Sequence, residues 1–486
     1  IIKMMELNSE EGLLVGSDEE GGLSFEQTKR LSIAVELAAS PSIIFLDEPT
    51  SGLDSRAALL VIQSLRKIAE TGRTVCATIH QPSSAVFEMF DDLLLLKKGG
   101  STVFHGELGE QSQNLIKYFE ANGATLILKG ENPATWMLTI QEINYDTDYA
   151  QCYLESDNSR ELRLQLEEVQ VNTNEAKKIR FESEYASTRG ERIKYMNERL
   201  RTIYMRSPSY NRSRIFLSIV ISFLLGSIFI FDYQPEVMDE QYISGIFSTI
   251  FLSFIVIGIL AITSVLPVML KIRDVFYRHR AAGMLDDFPV ALSLGVAEQP
   301  FLLICSTLFS IIFYFTIGLA PNFRKLVAFW GFFTFNWAIY SYFGQLFMCS
   351  VRGVQTAQIL ASIFIGINNF FSGLIVRPQF MTGFFQATYY MAPGHYVYEG
   401  LITTQFHDDN RTVIATIGSK FFDDLDCKKD ATEVCSGTVA QFMESFFGGR
   451  FKHSNRFLDI GILAALLIVS RLLTWLALRK RNFSST

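Results

Sequence analysis

The chain has 486 residues, which is too long for one domain and suits two or three. Its formal net charge is -7 at pH 7, and the sequence has no block of basic residues, so nucleic acid is not expected as a partner. Charged residues crowd the first 210 positions and are sparse afterwards, which predicts a soluble first part and a membrane-embedded second part. The first residues resemble the interior of a helix and do not begin with methionine, so we expect a longer parent protein.

The first predicted helix begins near Ser24. Residues 23–31 place Ser24 at the N-cap and Gln27 at the third helical position, which is the capping-box pattern. Helix N-termini bind anions through free N–H groups and the helix dipole. Taken alone, this segment indicates only an ordinary capping box.

Two predicted strands follow, and each ends in polar residues. Residues 42–46 are a short apolar run, typical of a buried parallel strand, and the run ends at Asp47 and Glu48. Residues 74–79 are a second such run and end at His80. Parallel sheets place ligands at the carboxyl ends of their strands, so these side chains can converge on one phosphate. In such a site Asp47 is suited to hold magnesium, directly or through water, and Glu48 to orient or deprotonate the attacking water.

A linker and an amphipathic helix are predicted next. Residues 141–187 are charged and poor in large apolar side chains, which predicts a linker after a soluble domain formed by residues 1–140. Residues 188–207 are dense in Arg, Lys and Glu, with apolar residues at helical spacing. These apolar residues are Ile193, Met196, Leu200 and Ile203. The pattern predicts a connecting helix along the membrane surface, and a solvated helix on the soluble domain is the alternative.

Six long runs poor in charge follow within residues 208–486. A helix needs roughly 20 apolar residues to cross the hydrocarbon core, and these runs are about that long or longer. They predict an all-α domain with six transmembrane helices near residues 213–231, 242–268, 289–319, 326–350, 354–376 and 457–478. Lysine and arginine lie mainly after the second, fourth and sixth spans, which predicts cytosolic termini and an extracytoplasmic region at residues 377–455.

The extracytoplasmic region carries two features of exported segments. Cys427 and Cys435 lie eight residues apart in a polar stretch, and outside the cytosol their thiols can oxidise to each other. Two free thiols, or pairing with a partner chain, are the alternatives. Asn410 begins a glycosylation sequon on the same side of the membrane.

The third span contains an acid, Glu298, two residues before Pro300. An acid inside a span is costly unless it is paired or near an interface. We expect this element to mark a helix break rather than a proton relay.

In order and spacing, the soluble motifs resemble those of the ATP-binding cassette proteins. Residues 23–27 (Leu23, Ser24, Phe25, Glu26 and Gln27) resemble the signature motif and residues 43–48 resemble Walker B. Residues 51–54 resemble the D-loop that ends at Asp54, and His80 resembles the switch histidine. The resemblance implies an α/β P-loop NTPase fragment with ATP and Mg²⁺ as cofactors. It implies Glu48 and His80 as catalytic residues, and Asp47, Asp54, Ser24 and Gln27 as nucleotide or metal contacts.

A closer resemblance is to the G subfamily of these transporters, of the full-size pleiotropic drug resistance type, in its C-terminal half. Four segments carry it, namely residues 26–37, 132–137, 275–284 and 400–406. The resemblance implies a six-helix exporter domain and, as partner, an N-terminal half with its own nucleotide-binding and membrane domains. It also implies export of hydrophobic or amphipathic small molecules, such as xenobiotics, lipids or secondary metabolites, with the plasma membrane as the expected location.

The sequence departs from an active cassette in two ways. No GxxxxGK[ST] pattern occurs, so the Walker A and Q-loop are expected upstream, and the fragment alone is expected to be inactive. Phe25 and Glu26 stand where an active signature has glycines that let backbone N–H groups approach a phosphate. We therefore expect Glu48 and His80 to serve a competent site, and residues 23–27 to cap a second site that holds ATP without fast turnover.

Three alternatives stay open from the sequence. A membrane protein with a vestigial cassette would not need Glu48 and His80. A soluble cassette ATPase of the DNA-repair or translation type would not need six spans. A half transporter that depends on assembly is the third.

Two sets of residues are candidates for the substrate path. On the second span they are Phe247, Phe251 and Phe254, and on the fifth span they are Phe364, Asn368 and Phe371. In the subfamily these two spans line the central cavity, so an aromatic slot for flat apolar substrates is one interpretation. Helix packing or lipid contact is the commoner role of such residues.

Overall fold

The computed structural model of the chain describes residues 1–13, 15–16, 22–143, 147–173, 185, 187–229, 236–427 and 435–483. The chain forms two compact units, Ile1–Arg180 and Phe181–Thr486, which we call the first and the second unit. Their boundary falls within the segment predicted as a linker.

The first unit combines helices with two small sheets. Its helices are α1 (Phe25–Leu37), α2 (Ser55–Ala69), α3 (Ser84–Phe87), α4 (Gln113–Ala121), α5 (Pro133–Ile143), α6 (Tyr149–Glu155) and α7 (Asp157–Thr173). Its strands are β1 (Ile43–Leu46), β2 (Thr74–Ala77), β3 (Asp92–Leu96) and β4 (Thr102–Glu107). β1 and β2 pair in parallel, as predicted, and β3 and β4 form an antiparallel pair.

The parallel pair is packed on one face only. Ile44 of β1 lies in a core with Leu37 of α1 and Val61 of α2. Ile43 and Phe45, which point to the other face because side chains alternate along a strand, are 56% and 78% exposed. This face of β1 is uncovered in the described part of the chain.

Most described residues of the segment predicted as a linker are helical. α6 buries Tyr149 and Tyr153, which are one helical turn apart. The Tyr149 ring lies 5.2 Å from that of Phe119, inside the core formed by α4, α5 and β4. Tyr149 thus packs α6 against this core, although the segment as a whole is charged.

The second unit is mainly helical. Its helices are α8 (Arg189–Met205), α9 (Pro208–Gly226), α10 (Glu240–Ala281), α11 (Asp287–Thr316), α12 (Phe323–Ser350), α13 (Val354–Phe370), α14 (Phe384–Met391), α15 (Pro393–Phe406), α16 (Lys420–Asp424), α17 (Val439–Phe447) and α18 (Arg456–Lys480). Its strands are β5 (Val237–Asp239), β6 (Thr412–Ile414) and β7 (Ser436–Thr438). β6 lies between the other two, parallel to β5 and antiparallel to β7.

Four helical segments in the described part of the chain are long and apolar enough to cross a membrane. They are Tyr210–Phe229, Glu240–Ala281, Asp287–Thr316 and His453–Lys480. The other two predicted spans coincide with α12 and α13. In α12, polar residues such as Asn336 and Gln345 interrupt the apolar sequence, and α13 is short for a membrane span, with 17 residues. The prediction that these two also cross stays a prediction.

A buried ion pair connects three of these helices. Arg214 Nη1 of α9 lies 2.7 Å from Glu298 Oε1 of α11, and the two side chains are 1% and 0% exposed. The Tyr210 hydroxyl donates to the same carboxylate at 2.7 Å, and Arg214 Nη2 donates to Ser341 Oγ of α12 at 3.1 Å. The predicted helix break is wrong, because α11 runs through Pro300 without interruption. Pairing is what makes this buried acid tolerable.

The predicted extracytoplasmic region folds as part of the second unit. α15 is buried along its whole length, and β6 and β7 lie beside α17. Cys427 and Cys435 are joined as a disulfide, with Cα atoms 6.1 Å apart, and residues 428–434 lie outside the described residues. Asn410 is exposed just before β6, where a glycan has room.

We expect Cys427 and Cys435 to be oxidised to each other in the mature protein, because their spacing allows the bond and an extracytoplasmic location favours it. Peptide mapping without reduction should recover the two cysteines as one cross-linked peptide. Cys305 and Cys349, which are buried free thiols, should react with an alkylating agent after denaturation and serve as internal controls. Complete alkylation of Cys427 and Cys435 in freshly isolated membranes would contradict the disulfide. Resistance of this region to protease added from outside, together with the absence of a glycan, would contradict the predicted topology as well.

Candidate functional site

The carboxyl ends of β1 and β2 bring the predicted catalytic side chains together. His80 Nε2 lies 3.1 Å from Glu48 Oε1. The Thr78 hydroxyl donates to Asp47 Oδ1 at 2.8 Å and accepts from the backbone N–H of Glu48 at 2.8 Å. Because Leu46 and the residue before Thr78 are partners in the parallel register, the two strands end level and their polar residues meet at one edge.

The cluster is accessible, and its backbone is constrained. The side chain of Glu48 is 44% exposed and that of His80 is 80% exposed, so both can meet a ligand. Glu48 has φ 46° and Gln81 has φ 44°, in the left-handed region that residues other than glycine seldom adopt. Such a conformation costs of order 1–3 kcal/mol and persists where neighbouring contacts hold it, as the Thr78 hydroxyl does at Glu48.

Ser24 and Gln27 form the predicted capping box at the start of α1. The Ser24 N–H donates to Gln27 Oε1 at 2.8 Å, and the Gln27 N–H donates to Ser24 Oγ at 3.2 Å. Gln27 Nε2 also donates to Glu10 Oε1 at 3.2 Å. Both side chains are therefore engaged within the chain, and a contact of theirs with nucleotide stays a prediction.

The start of α1 lies beside the turn that follows β1. A Cβ atom on Gly52, whose φ is 76°, would lie 3.2 Å from the Phe25 ring. Lys29 Nζ donates to the backbone carbonyl of Glu48 at 3.4 Å. Glu26 forms an ion pair with Arg30, one helical turn further along α1, at 3.0 Å. Phe25 of the degenerate signature thus lies beside Gly52, in the segment that resembles the D-loop.

Asp54 ends that turn and acts as the N-cap of α2, where its Oδ1 accepts from the N–H of Ala57 at 2.7 Å. The structure records no contact between Asp54 and the Glu48–His80 pair among the described residues. Its proposed role toward nucleotide therefore stays a prediction.

Two residues that were not predicted from the sequence support the site. Thr78 forms hydrogen bonds with both Asp47 and Glu48. It lies two residues before His80, so the alternation of side chains along a strand could have indicated that the two residues point to the same side. Asn132 donates to the carbonyl of Pro82, just after His80, at 2.8 Å, and its Oδ1 also accepts a bond at the start of α5. An asparagine before a proline is a helix-start signal, but its second contact is visible only in three dimensions.

The aromatic residues proposed for the substrate path on α10 are buried in the core. Phe247 lies 5.1 Å from the ring of Phe406, and Phe251 lies 5.3 Å from that of Tyr398. Phe254 is fully buried beside them. These contacts are those of helix packing, which was the alternative interpretation.

The residues proposed on the fifth span, which lie in α13 and at its C-cap Phe371, also contact neighbouring helices. Phe364 stacks on Phe343 at 4.5 Å, Asn368 donates to the Tyr340 hydroxyl at 2.6 Å, and Phe371 stacks on a ring of α14 at 6.2 Å. A different face of α13 is uncovered, and it carries Ile359, Ile363, Ile367 and Phe370. In the described part of the chain, these four side chains are 45–60% exposed, and a substrate path along α13 stays a prediction.

Comparison with known proteins gives the family context of this geometry. Residues 191–406 match a family model described as an ABC-2 type transporter, and residues 80–180 match a second model of the same description. The chain is 35% identical over 473 residues to ABC transporter G family member 31 of Arabidopsis thaliana, covering 96% of this chain and 32% of that protein. It is 35% identical over 474 residues to pleiotropic drug resistance protein 1 of Nicotiana tabacum, covering 96% of this chain and 31% of that protein.

A third relative is ABC transporter G family member 36 of Oryza sativa subsp. indica, which is 34% identical over 488 residues, covering 99% of this chain and 32% of that protein. The chain spans about a third of the length of the relatives it matches. The ABC-2 type domain and the apolar helices make it a multi-pass membrane protein. The chain therefore belongs to the G family of ABC transporters, of the pleiotropic drug resistance type.

Proposed function

We propose that this chain is one half of an exporter that uses ATP hydrolysis to move hydrophobic or amphipathic small molecules across the plasma membrane. The observation that carries the proposal is the contact of Glu48 with His80 at the ends of two parallel strands, in a chain that also has an ABC-2 type membrane domain. A vestigial cassette has no reason to keep this pair together.

The side chains at the strand ends are suited to hydrolysis of a terminal phosphate. The Glu48 carboxylate is an acceptor that can orient a water molecule and take its proton. His80, in contact with Glu48, is placed to hold that carboxylate and to donate toward a phosphate oxygen. Thr78 fixes the backbone of Glu48, so the carboxylate is positioned before substrate arrives.

The oxygen atoms present also fit Mg²⁺. Asp47 offers a carboxylate and Thr78 a hydroxyl, which are the hard oxygen ligands that this ion prefers. When bound with ATP, the ion would neutralise phosphate charge. Asp47 would hold it, directly or through water, while Glu48 and His80 act on the water.

The phosphate-binding loop has to come from elsewhere, since the sequence lacks the Walker A pattern. The relatives are about three times as long as this chain, which leaves room for the rest of the cassette and for a second half. The uncovered face of β1, with Ile43 and Phe45, is where the rest of the cassette would pack. An N-terminal half with its own nucleotide-binding and membrane domains is the proposed partner.

Transport by the full-length protein tests the proposal directly. Inside-out membrane vesicles should accumulate a fluorescent amphiphile only with ATP and Mg²⁺, and a non-hydrolysable ATP analogue should not support uptake. Uptake that is equal with and without ATP would refute an ATP-driven exporter and favour a membrane protein with a vestigial cassette.

We expect residues 1–486 alone to show no appreciable binding or hydrolysis of ATP, because no loop in the sequence cradles the phosphates. Equilibrium binding of a fluorescent ATP analogue to the purified chain, with the full-length protein as positive control, measures this. Magnesium-dependent hydrolysis by the pure chain would refute the prediction and imply another phosphate site.

A further inference from the structure

A small apolar pocket lies between α8 and the last third of α10. Its volume is about 120 Å³, similar to a cavity of about 150 Å³ that binds benzene. Met196 and Leu200 of α8 and Ile272 and Phe276 of α10 are buried and form its floor. The pocket can therefore hold a short length of hydrocarbon.

The rim of this pocket is basic. Arg199 and Lys271 are exposed, and His279 is half-buried, with its Nδ1 3.0 Å from Arg199 Nη1. No Asp or Glu is among the lining residues, and in the described part of the chain neither Arg199 nor Lys271 lies in an ion pair with a carboxylate. Two cations at the rim that have no carboxylate partner among the described residues favour an anion there.

The pocket lies at the end of the apolar part of α10. Residues 241–270 contain no charged side chain, and Lys271 is the first charge after them. α8 packs Met196 and Leu200 into a core shared with α10 and exposes most of its charged side chains, so Arg199 is available at the level of Lys271. Lys271 therefore marks the level where hydrocarbon gives way to lipid headgroups.

We propose that this pocket binds one anionic phospholipid of the surrounding membrane. Part of an acyl chain lies on the apolar floor, and the headgroup phosphate accepts hydrogen bonds from Arg199 and Lys271. A free phosphate ion would not contact the apolar floor, and a lipid without net charge would not neutralise the cations at the rim. The inference concerns the second unit and is independent of ATP hydrolysis.

The test uses the purified full chain in nanodiscs of phosphatidylcholine and phosphatidylglycerol in equal amounts. Native mass spectrometry counts the lipids that stay bound after the discs are removed. Wild type should retain phosphatidylglycerol in preference, and Arg199→Ala with Lys271→Ala should lower that preference by about fivefold for each charge removed. The matched control, Lys194→Ala with Arg201→Ala, removes the same charge from exposed positions of α8 outside the pocket and should leave the preference unchanged.

A second variant separates the pocket from general surface charge. Val275→Trp fills the half-buried lining position between the helices but keeps every cation, so it should also abolish the preference. Three results would overturn the proposal: an equal loss in the control variant, an unchanged preference in Val275→Trp, or displacement of the lipid by inorganic phosphate at equal concentration. Equal protection of Lys271 from amine labelling in discs with and without phosphatidylglycerol would also overturn it, because a protein segment would then cover the pocket.

Discussion

Replacing Glu48 by glutamine in the full-length transporter should abolish ATP hydrolysis and leave nucleotide binding intact. Glutamine has the shape of glutamate and can keep the contact with His80, but it cannot accept a proton from water. The expected loss of hydrolysis is roughly 10²-fold or more, the scale of a lost general base. Phosphate release measures the rate, and binding of a fluorescent ATP analogue at equilibrium measures the affinity.

The substitution should not change the conformational strain of the backbone at this position, because glutamine and glutamate have similar side chains and adopt the left-handed φ of 46° at a similar cost. A loss of activity is therefore attributable to the carboxylate. Glu36→Gln, at an exposed position of α1, is the matched control and should hydrolyse ATP normally. Turnover by Glu48→Gln within about threefold of wild type, with normal binding, would remove Glu48 from the mechanism.

The convergence of Glu48 and His80 could be predicted because it rests on one strong rule. Two apolar runs that form parallel strands place their following residues at the same sheet edge, whatever lies between them. The role of Thr78 was less predictable. Its position two residues before His80 indicates the same side of the chain, but only the structure shows that its hydroxyl contacts both Asp47 and Glu48. The capping box of Ser24 and Gln27 could be predicted from its sequence pattern alone, because both of its hydrogen bonds join residues only three positions apart.

In the second unit, runs without charge located the long helices but not their ends, because α10 continues past the predicted end at 268, through charged residues, to Ala281. The partners of polar residues could not be predicted from the sequence. Glu298 could be recognised as costly in a span, yet its partner Arg214 lies 84 residues earlier in the chain. The phenylalanines of α10 show the same limit. Their helical spacing identifies a common face, but only the positions of α15 and α17 show that the face is packed.

The second large effect is expected at the buried pair of Arg214 and Glu298. Arg214→Leu should destabilise the protein by about 3–5 kcal/mol, because it leaves the Glu298 carboxylate fully buried without its cation. Tyr210 would still donate one hydrogen bond, which does not neutralise the charge. A lower midpoint of thermal unfolding in detergent, and reduced yield in membranes, are the measurements.

The double variant Arg214→Leu with Glu298→Leu distinguishes a lost pair from lost packing. Removing both charges leaves no buried ion, so most of the stability lost in Arg214→Leu should return. Arg189→Leu is the control, because its side chain is 62% exposed and lies 4.0 Å from Asp286, and the change should stay within about 1 kcal/mol. If the double variant is as unstable as Arg214→Leu, the helices depend on the shape of these side chains rather than on their charges. If Arg214→Leu unfolds like wild type, the pair does not hold α9 against α11.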